Sequence, residues 1–220
     1  MGIRQAVRER LPAWLAEPLH ATLADLRDAR EWPAYGRLPT VPPPHVVKAR
    51  TVLDYARRHG LHVLIETGTF EGEMVRKCRR AFRAIFTIEL DPRYAGRATR
   101  RFARDGHVHV VQGNSAERLP EVLAAVREPA PFWLDGHYSG GDTARGDKET
   151  PLLEELAAIR RHGVRGHVIP IDDARCLGQG DYPDLDTLTR PLRAIEPGSR
   201  VEVAADIPPC TPPASAVTAR

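Results

Sequence analysis

Five carboxylates close apolar runs in this chain, and any chemistry starts from them. Glu66 ends HVLIE (62–66), Glu89 ends AIFTIE (84–89), Asp135 ends PFWLD (131–135), and Asp172 ends GHVIPID (166–172) with Asp173 beside it. After Glu66 the chain reads TGTFEG, so Gly68 and Gly72 let the backbone bend sharply and approach a ligand closely. The NAD fingerprint G-x-G-x-x-G is missing: the spacing is G-x-x-x-G, Phe70 stands in the middle, and Glu66 and Glu71 flank the turn. Acids there repel a pyrophosphate and suit an ammonium or a sulfonium. Glu89 follows Gly68 by 21 residues, where an acid can accept hydrogen bonds from both hydroxyls of a ribose. The stretch QGNSAE adds Asn114 and Ser115 at the end of another apolar run.

Asp135, Asp172 and Asp173 offer hard oxygens suited to Mg²⁺, which binds one or two protein carboxylates, waters and substrate oxygens. His137 follows Asp135 by two and titrates near neutral pH, so it suits a general base. Blander roles compete: Asp172 or Asp173 as a turn cap, and Asp135 as a metal-free contact to substrate or cofactor. The loop GHYSGGDTARGDKE (136–149) offers Tyr138, Ser139, Asp142 and Thr143 to a substrate, and Glu149 opens a helix whose dipole favours an acid. His107, His109 and His167 lie in strand patterns and are expected in the core or on a sheet face.

These groups need a scaffold that brings strand ends together. Strand-like runs at 62–66, 84–89, 107–112, 131–135 and 166–172 alternate with helix-like segments near 72–82, 92–105, 115–127, 150–162 and 184–195. Strands apolar on both faces, separated by crossover helices, predict a doubly wound, mostly parallel α/β sheet, and its ligands lie outside the carboxyl ends of the strands. A sixth strand is expected near 200–206. Upstream, a helix over 45–59 stops at Gly60. Residues 3–30 show an apolar stripe broken by Pro12 and Pro18, which predicts two or three short helices, and 33–44 reads as a proline-rich connector unable to continue a helix. The organisation expected is a helical extension over 1–44, the α/β domain over 45–206 and a disordered tail over 207–220.

The series E-T-G-T-F-E-G, then an acid ending the next strand, resembles the cofactor site of class I S-adenosylmethionine-dependent methyltransferases, over about residues 45–205. The resemblance implies a Rossmann-like fold and an enzyme that transfers methyl groups. It implies that Glu66, Gly68, Thr69, Phe70 and Gly72 line the methionine part of the cofactor, that Glu89 binds its ribose, and that Asn114 and Ser115 approach its adenine, with Asp135 at the cofactor's substrate side. Asn114 stands where many members carry aspartate. Locally the chain is similar to metal-dependent O-methyltransferases of the macrocin and catechol type, which implies Mg²⁺ at Asp135, Asp172 and Asp173 and a hydroxylated acceptor. Alternatives are an NAD-dependent oxidoreductase, a non-catalytic cofactor-binding protein, and metal-free methylation of a nitrogen or carboxylate.

Bulk properties bound these readings. The composition is 42% hydrophobic and 28% charged, which is ordinary for a globular protein. A net charge of +3 from 32 basic and 29 acidic residues is too balanced for a nucleic-acid footprint. No apolar run approaches a membrane span, and the N-terminus lacks the apolar core of a signal peptide. Cys78, Cys176 and Cys210 fit neither a disulfide framework nor a zinc site, so a reducing, cytoplasmic setting is expected. A homodimer through the N-terminal region, with its Trp14, Trp32 and Tyr35, is a further expectation.

Overall fold

A computed structural model describes residues 13–37, 39–136, 150–201 and 209–211. His137, Tyr138, Ser139, Asp142, Thr143 and Glu149 lie outside the described residues, as do 1–12, most of the tail and the greater part of the sixth strand expected over 200–206.

Among the described residues, seven strands and seven helices position the strand ends. The strands are β1 (Val63–Thr67), β2 (Ala84–Glu89), β3 (Val108–Gln112), β4 (Phe132–Leu134), β5 (Ile169–Pro170), β6 (Arg200–Val201) and β7 (Pro209–Thr211). The helices are α1 (Ala13–Arg37), α2 (His45–His59), α3 (Glu73–Cys78), α4 (Pro92–Arg101), α5 (Ser115–Ala125), α6 (Leu152–Arg161) and α7 (Leu185–Ile195). One parallel sheet runs β3-β2-β1-β4, and a smaller one runs β5-β7-β6 with both pairings antiparallel. Parallel bridges Pro131↔Val168 and Leu134↔Ile171 join β4 to β5, so the strands follow the order 3-2-1-4-5-7-6. The order reverses between β1 and β4, where a crevice opens at the carboxyl ends.

Local signals explain the boundaries. Gly60 ends α2 in the left-handed region at φ 62°, as a C-cap glycine does. Asp91, Asn114 and Asp184 cap α4, α5 and α7 by accepting from the N–H of Arg93, Ala116 and Thr187. Alternation along β1 sends Val63 and Ile65 to one face and Leu64 to the other. The first face packs on Leu119, Leu123, Leu156, Ile159 and Leu192 of α5, α6 and α7. The second packs on Val52, Ala56, Val75 and Phe102, with Trp133 from β4.

Three expectations need correction. From Ala13 onward the expected short N-terminal helices are one continuous helix, α1, which runs through Pro18 and Pro33 and takes in 33–37 of the expected connector. A proline interior to a helix costs about 3 kcal/mol, and two ion pairs and a cation–π contact to the rest of the molecule oppose that cost: Arg76 bonds Asp25 at 2.7 Å, Lys77 bonds Asp28, and the Arg50 guanidinium lies 4.0 Å from the Trp32 ring centroid. Second, β3 is an edge strand and only partly buried, so it is not covered on both faces. Third, part of the segment expected to be frayed, Pro209–Thr211, forms β7, because β5 and β6 both offer it antiparallel partners.

Candidate active site

The turn after β1 is fixed by hydrogen bonds to β2. Gly68 and Thr69 donate from their N–H groups to the Ile88 carbonyl at 2.9 and 3.3 Å. Three positive φ angles, 83° at Gly68, 47° at Phe70 and 75° at Gly72, carry the chain round the bend. Gly68 has to be glycine on two counts: its φ, and the space around it, since a Cβ there would lie 2.7 Å from the Asp135 carbonyl carbon and overlap its oxygen. The loop therefore lies directly against the end of β4, across the switch point.

Glu89 sits beneath this loop. Its Oε2 accepts from the Phe70 N–H at 2.7 Å and its Oε1 from the Asp91 N–H at 2.9 Å, which fixes the carboxylate at the cleft edge. Burial raises its pKa, and the two backbone donors oppose that rise. Phe70 stays 44% exposed with its ring 4.7 Å from Tyr94, an aromatic wall beside the turn.

Glu66 is placed differently from a cleft-facing acid. It is 1% exposed, and the Thr87 hydroxyl donates to its Oε2 at 2.5 Å. Thr87 has a single proton to give, so the Thr69 hydroxyl, 2.5 Å away, must be the donor in the Thr69–Thr87 bond. Burial lifts the Glu66 pKa well above the carboxylate range. The acid anchors the loop from below.

Asn114 spends its side-chain oxygen on the cap of α5, and Ser115 donates to Glu155 at 2.5 Å. Glu155 on α6 is buried beside Gly136, and burial pushes its pKa up to about 7.

Asp135, Asp172 and Asp173 come together as their spacing predicts, each offering an oxygen within 4.8 Å of the others. The Trp133 indole N–H reaches Asp135 Oδ2 at 3.4 Å. Asp173, at φ 60°, accepts from Arg175 at 2.5 Å and makes no side-chain cap to the 3-10 turn Ala174–Cys176. Asp172 is paired with Lys48 of α2, and its Oδ1 is buried with no hydrogen-bond partner among the described residues. Burial and the neighbouring Asp135 push the Asp172 pKa above the ordinary carboxylate value, while Lys48 pulls it back towards the ionised form. Burial also works against the Lys48 ammonium, but Asp172, Asp135 and Asp173 outweigh it and raise its pKa. Three clustered carboxylates with an orphaned buried oxygen are a donor set that fits a hard divalent cation.

No family model and no curated protein matches the sequence. Solved structures do. The O-methyltransferase TomG from Streptomyces achromogenes, involved in tomaymycin synthesis and determined in complex with SAM, aligns over 84% of this chain and 89% of its own at 17% identity and TM-score 0.56. An O-methyltransferase from Bacillus cereus in complex with SAH aligns over 86% and 90% at 17% identity and TM-score 0.51. The N-methyltransferase NodS from Bradyrhizobium japonicum WM9 aligns over 76% and 95% at 15% identity and TM-score 0.51. The fold is that of the class I methyltransferases.

Within this methyltransferase fold, two buried polar groups escaped the sequence reading. Lys48 shares one face of α2 with Val52 and Ala56, and Glu155 shares one face of α6 with Leu152 and Ile159. A charge at an apolar-face position was the available signal for both. Lys48 is also one of only three lysines in a chain whose other basic side chains are arginine. No helix among the described residues is long and apolar enough to cross a membrane.

Proposed function

We propose that the protein is an S-adenosylmethionine-dependent methyltransferase acting on an oxygen of a hydroxylated small molecule, a sugar or secondary metabolite, with Mg²⁺ at the acidic strand ends. The observation that carries this reading is the strained turn at Gly68 and Phe70, pressed against the Asp135 backbone at the switch point, with Glu89 fixed beside it. The cofactor supplies an electrophilic methyl group on a sulfonium. Glu89 accepts from the ribose hydroxyls with oxygens already oriented by Phe70 and Asp91. Gly68, Thr69 and Gly72 line the methionine end, held from below by Glu66, and Phe70 walls it. Asn114 and Ser115 stand at the adenine end, at the start of α5. Asp135, Asp172 and Asp173 would hold Mg²⁺, which would lower the pKa of the acceptor hydroxyl. His137 takes the hydroxyl proton as general base, and Asp135 orients the acceptor from the substrate side.

Calorimetric titration with S-adenosylhomocysteine, in EDTA and again in excess Mg²⁺, tests this. Micromolar binding in both buffers is expected, with methylation of hydroxylated acceptors abolished by EDTA. Absence of binding in either buffer overturns the cofactor assignment. Turnover of those acceptors indifferent to EDTA removes Mg²⁺ from the mechanism, and turnover only of nitrogen or carboxylate acceptors overturns the choice of a hydroxyl.

A further inference from the structure

Lys48 plays no part in the methyl-transfer roles above, yet it reaches the acidic strand ends from a different layer of the fold. Its Nζ lies 6.0 Å from the Trp133 ring centroid, and its ammonium ends on Asp172 Oδ2. The lysine is 8% exposed and Asp172 3%. A buried carboxylate needs compensating charge, and a buried ammonium needs the same in return. A divalent cation drawn to Asp135, Asp172 and Asp173 would enter a cluster that already holds a positive charge, and two cations at such short range repel strongly. The Trp133 ring, with its centroid 6.0 Å from Nζ, is a favourable neighbour for an ammonium released from Asp172. Arginine, with a planar guanidinium anchored by several donors, would release a carboxylate less readily, and here the arginine-rich chain uses lysine.

We propose that Lys48 and a divalent cation compete for Asp172: the ammonium neutralises the carboxylate when no metal is bound, and has to withdraw when one is. Lys48 thereby weakens metal binding and keeps the site selective for conditions in which metal is abundant. The inference rests on the metal-assisted reading of the site, and its test separates the two.

The experiment is an electron paramagnetic resonance titration of the full chain with Mn²⁺, comparing the wild type with Lys48→Met and Asp172→Asn. S-adenosylhomocysteine affinity and thermal melting report whether each variant folds, and Lys48→Gln replaces Lys48→Met if the latter does not. Removing the ammonium is expected to tighten Mn²⁺ binding by about tenfold or more, and Asp172→Asn is expected to abolish it. Unchanged or weaker binding in the lysine variants, with Asp172→Asn still abolishing it, overturns the competition and leaves the metal site standing. Binding that survives Asp172→Asn undiminished, or no binding in any variant, overturns the metal reading and the competition with it.

Discussion

Gly68 concentrates more of the site's geometry than any other single residue described. Its positive φ and its contact with the Asp135 carbonyl both exclude a side chain, and the loop on one side and the end of β4 on the other depend on that contact. Gly68→Ala must either push the loop away from β4 or twist the turn. Overpacking of this kind costs about 1–3 kcal/mol, with backbone strain in addition. The expected outcome is a lower melting temperature and loss of S-adenosylhomocysteine binding by calorimetry; unchanged binding would mean that the turn does not shape the cofactor site. Thr87→Val is gentler. It removes the hydroxyl that links Thr69 to the buried Glu66 and leaves both without that partner, a cost of about 1–3 kcal/mol. The glycines and strand-end acids were legible because a turn or a strand end demands those residue types. The task of Glu66 was not, since an acid beside a tight turn reads as a ligand group, and only the fold reveals the two threonines beneath it.

Helix α1 was the least legible element. Propensity alone breaks it at Pro18, and what holds it lies far along the chain, in α3 and α2. Arg76 is the centre of that attachment. It bonds Asp25 at 2.7 Å, Asp28 at 3.3 Å and Glu73 at 3.1 Å, while only 11% of its side chain is exposed. Burial would raise the Glu73 pKa, but Arg76 and Arg101 overcome it and hold the acid below its ordinary value. Arg76→Ala leaves Glu73 and Asp28 facing each other with less compensation. Allowing for partial exposure of the partners, about 2 kcal/mol of stability should be lost. Amide hydrogen exchange should accelerate across α1 and leave β1 and β4 protected. Protection lost evenly throughout would show that the network serves the core and not the attachment of α1. By contrast α2 and α7 were readable nearly to the residue, and α4 at its start though not at its end, because each carries its own stop or start: Gly60, Asp184, and Asp91 with Pro92.

Across the whole molecule, buried titratable groups at opposite ends of the sheet have effects on stability that oppose each other. On the side of the sheet where β4 and β5 begin, the Ala130 N–H donates to His167 Nδ1, which puts the His167 proton on Nε2, aimed at His162 Nδ1 3.1 Å away; His162 Nε2 then donates to the Val126 carbonyl. This chain requires a neutral His167 ring, and burial followed by the neighbouring His162 lowers the His167 pKa to about 4. Unfolded, the ring titrates near 6.5, so as pH falls from 6.5 to 4 the unfolded state gains a proton that the folded state refuses. Stability from His167 is complete above 6.5 and lost on acidification, by about 3 kcal/mol. Glu155 runs the other way. Its folded pKa of about 7 exceeds the ordinary carboxylate value of 4.5, so stability falls as pH rises from 4.5 to 7, by a similar amount. Single substitutions separate the two. Glu155→Gln can still accept from Ser115 and carries no charge, so it should match the wild type near pH 4.5 and exceed it above pH 7. His167→Gln should fall short of the wild type above pH 6.5 and lose that deficit towards pH 4. Urea unfolding of the three proteins at pH 4.5, 6 and 7.5 checks both signs. Parallel pH profiles for all three would mean that neither buried group titrates differently in the folded and unfolded chains.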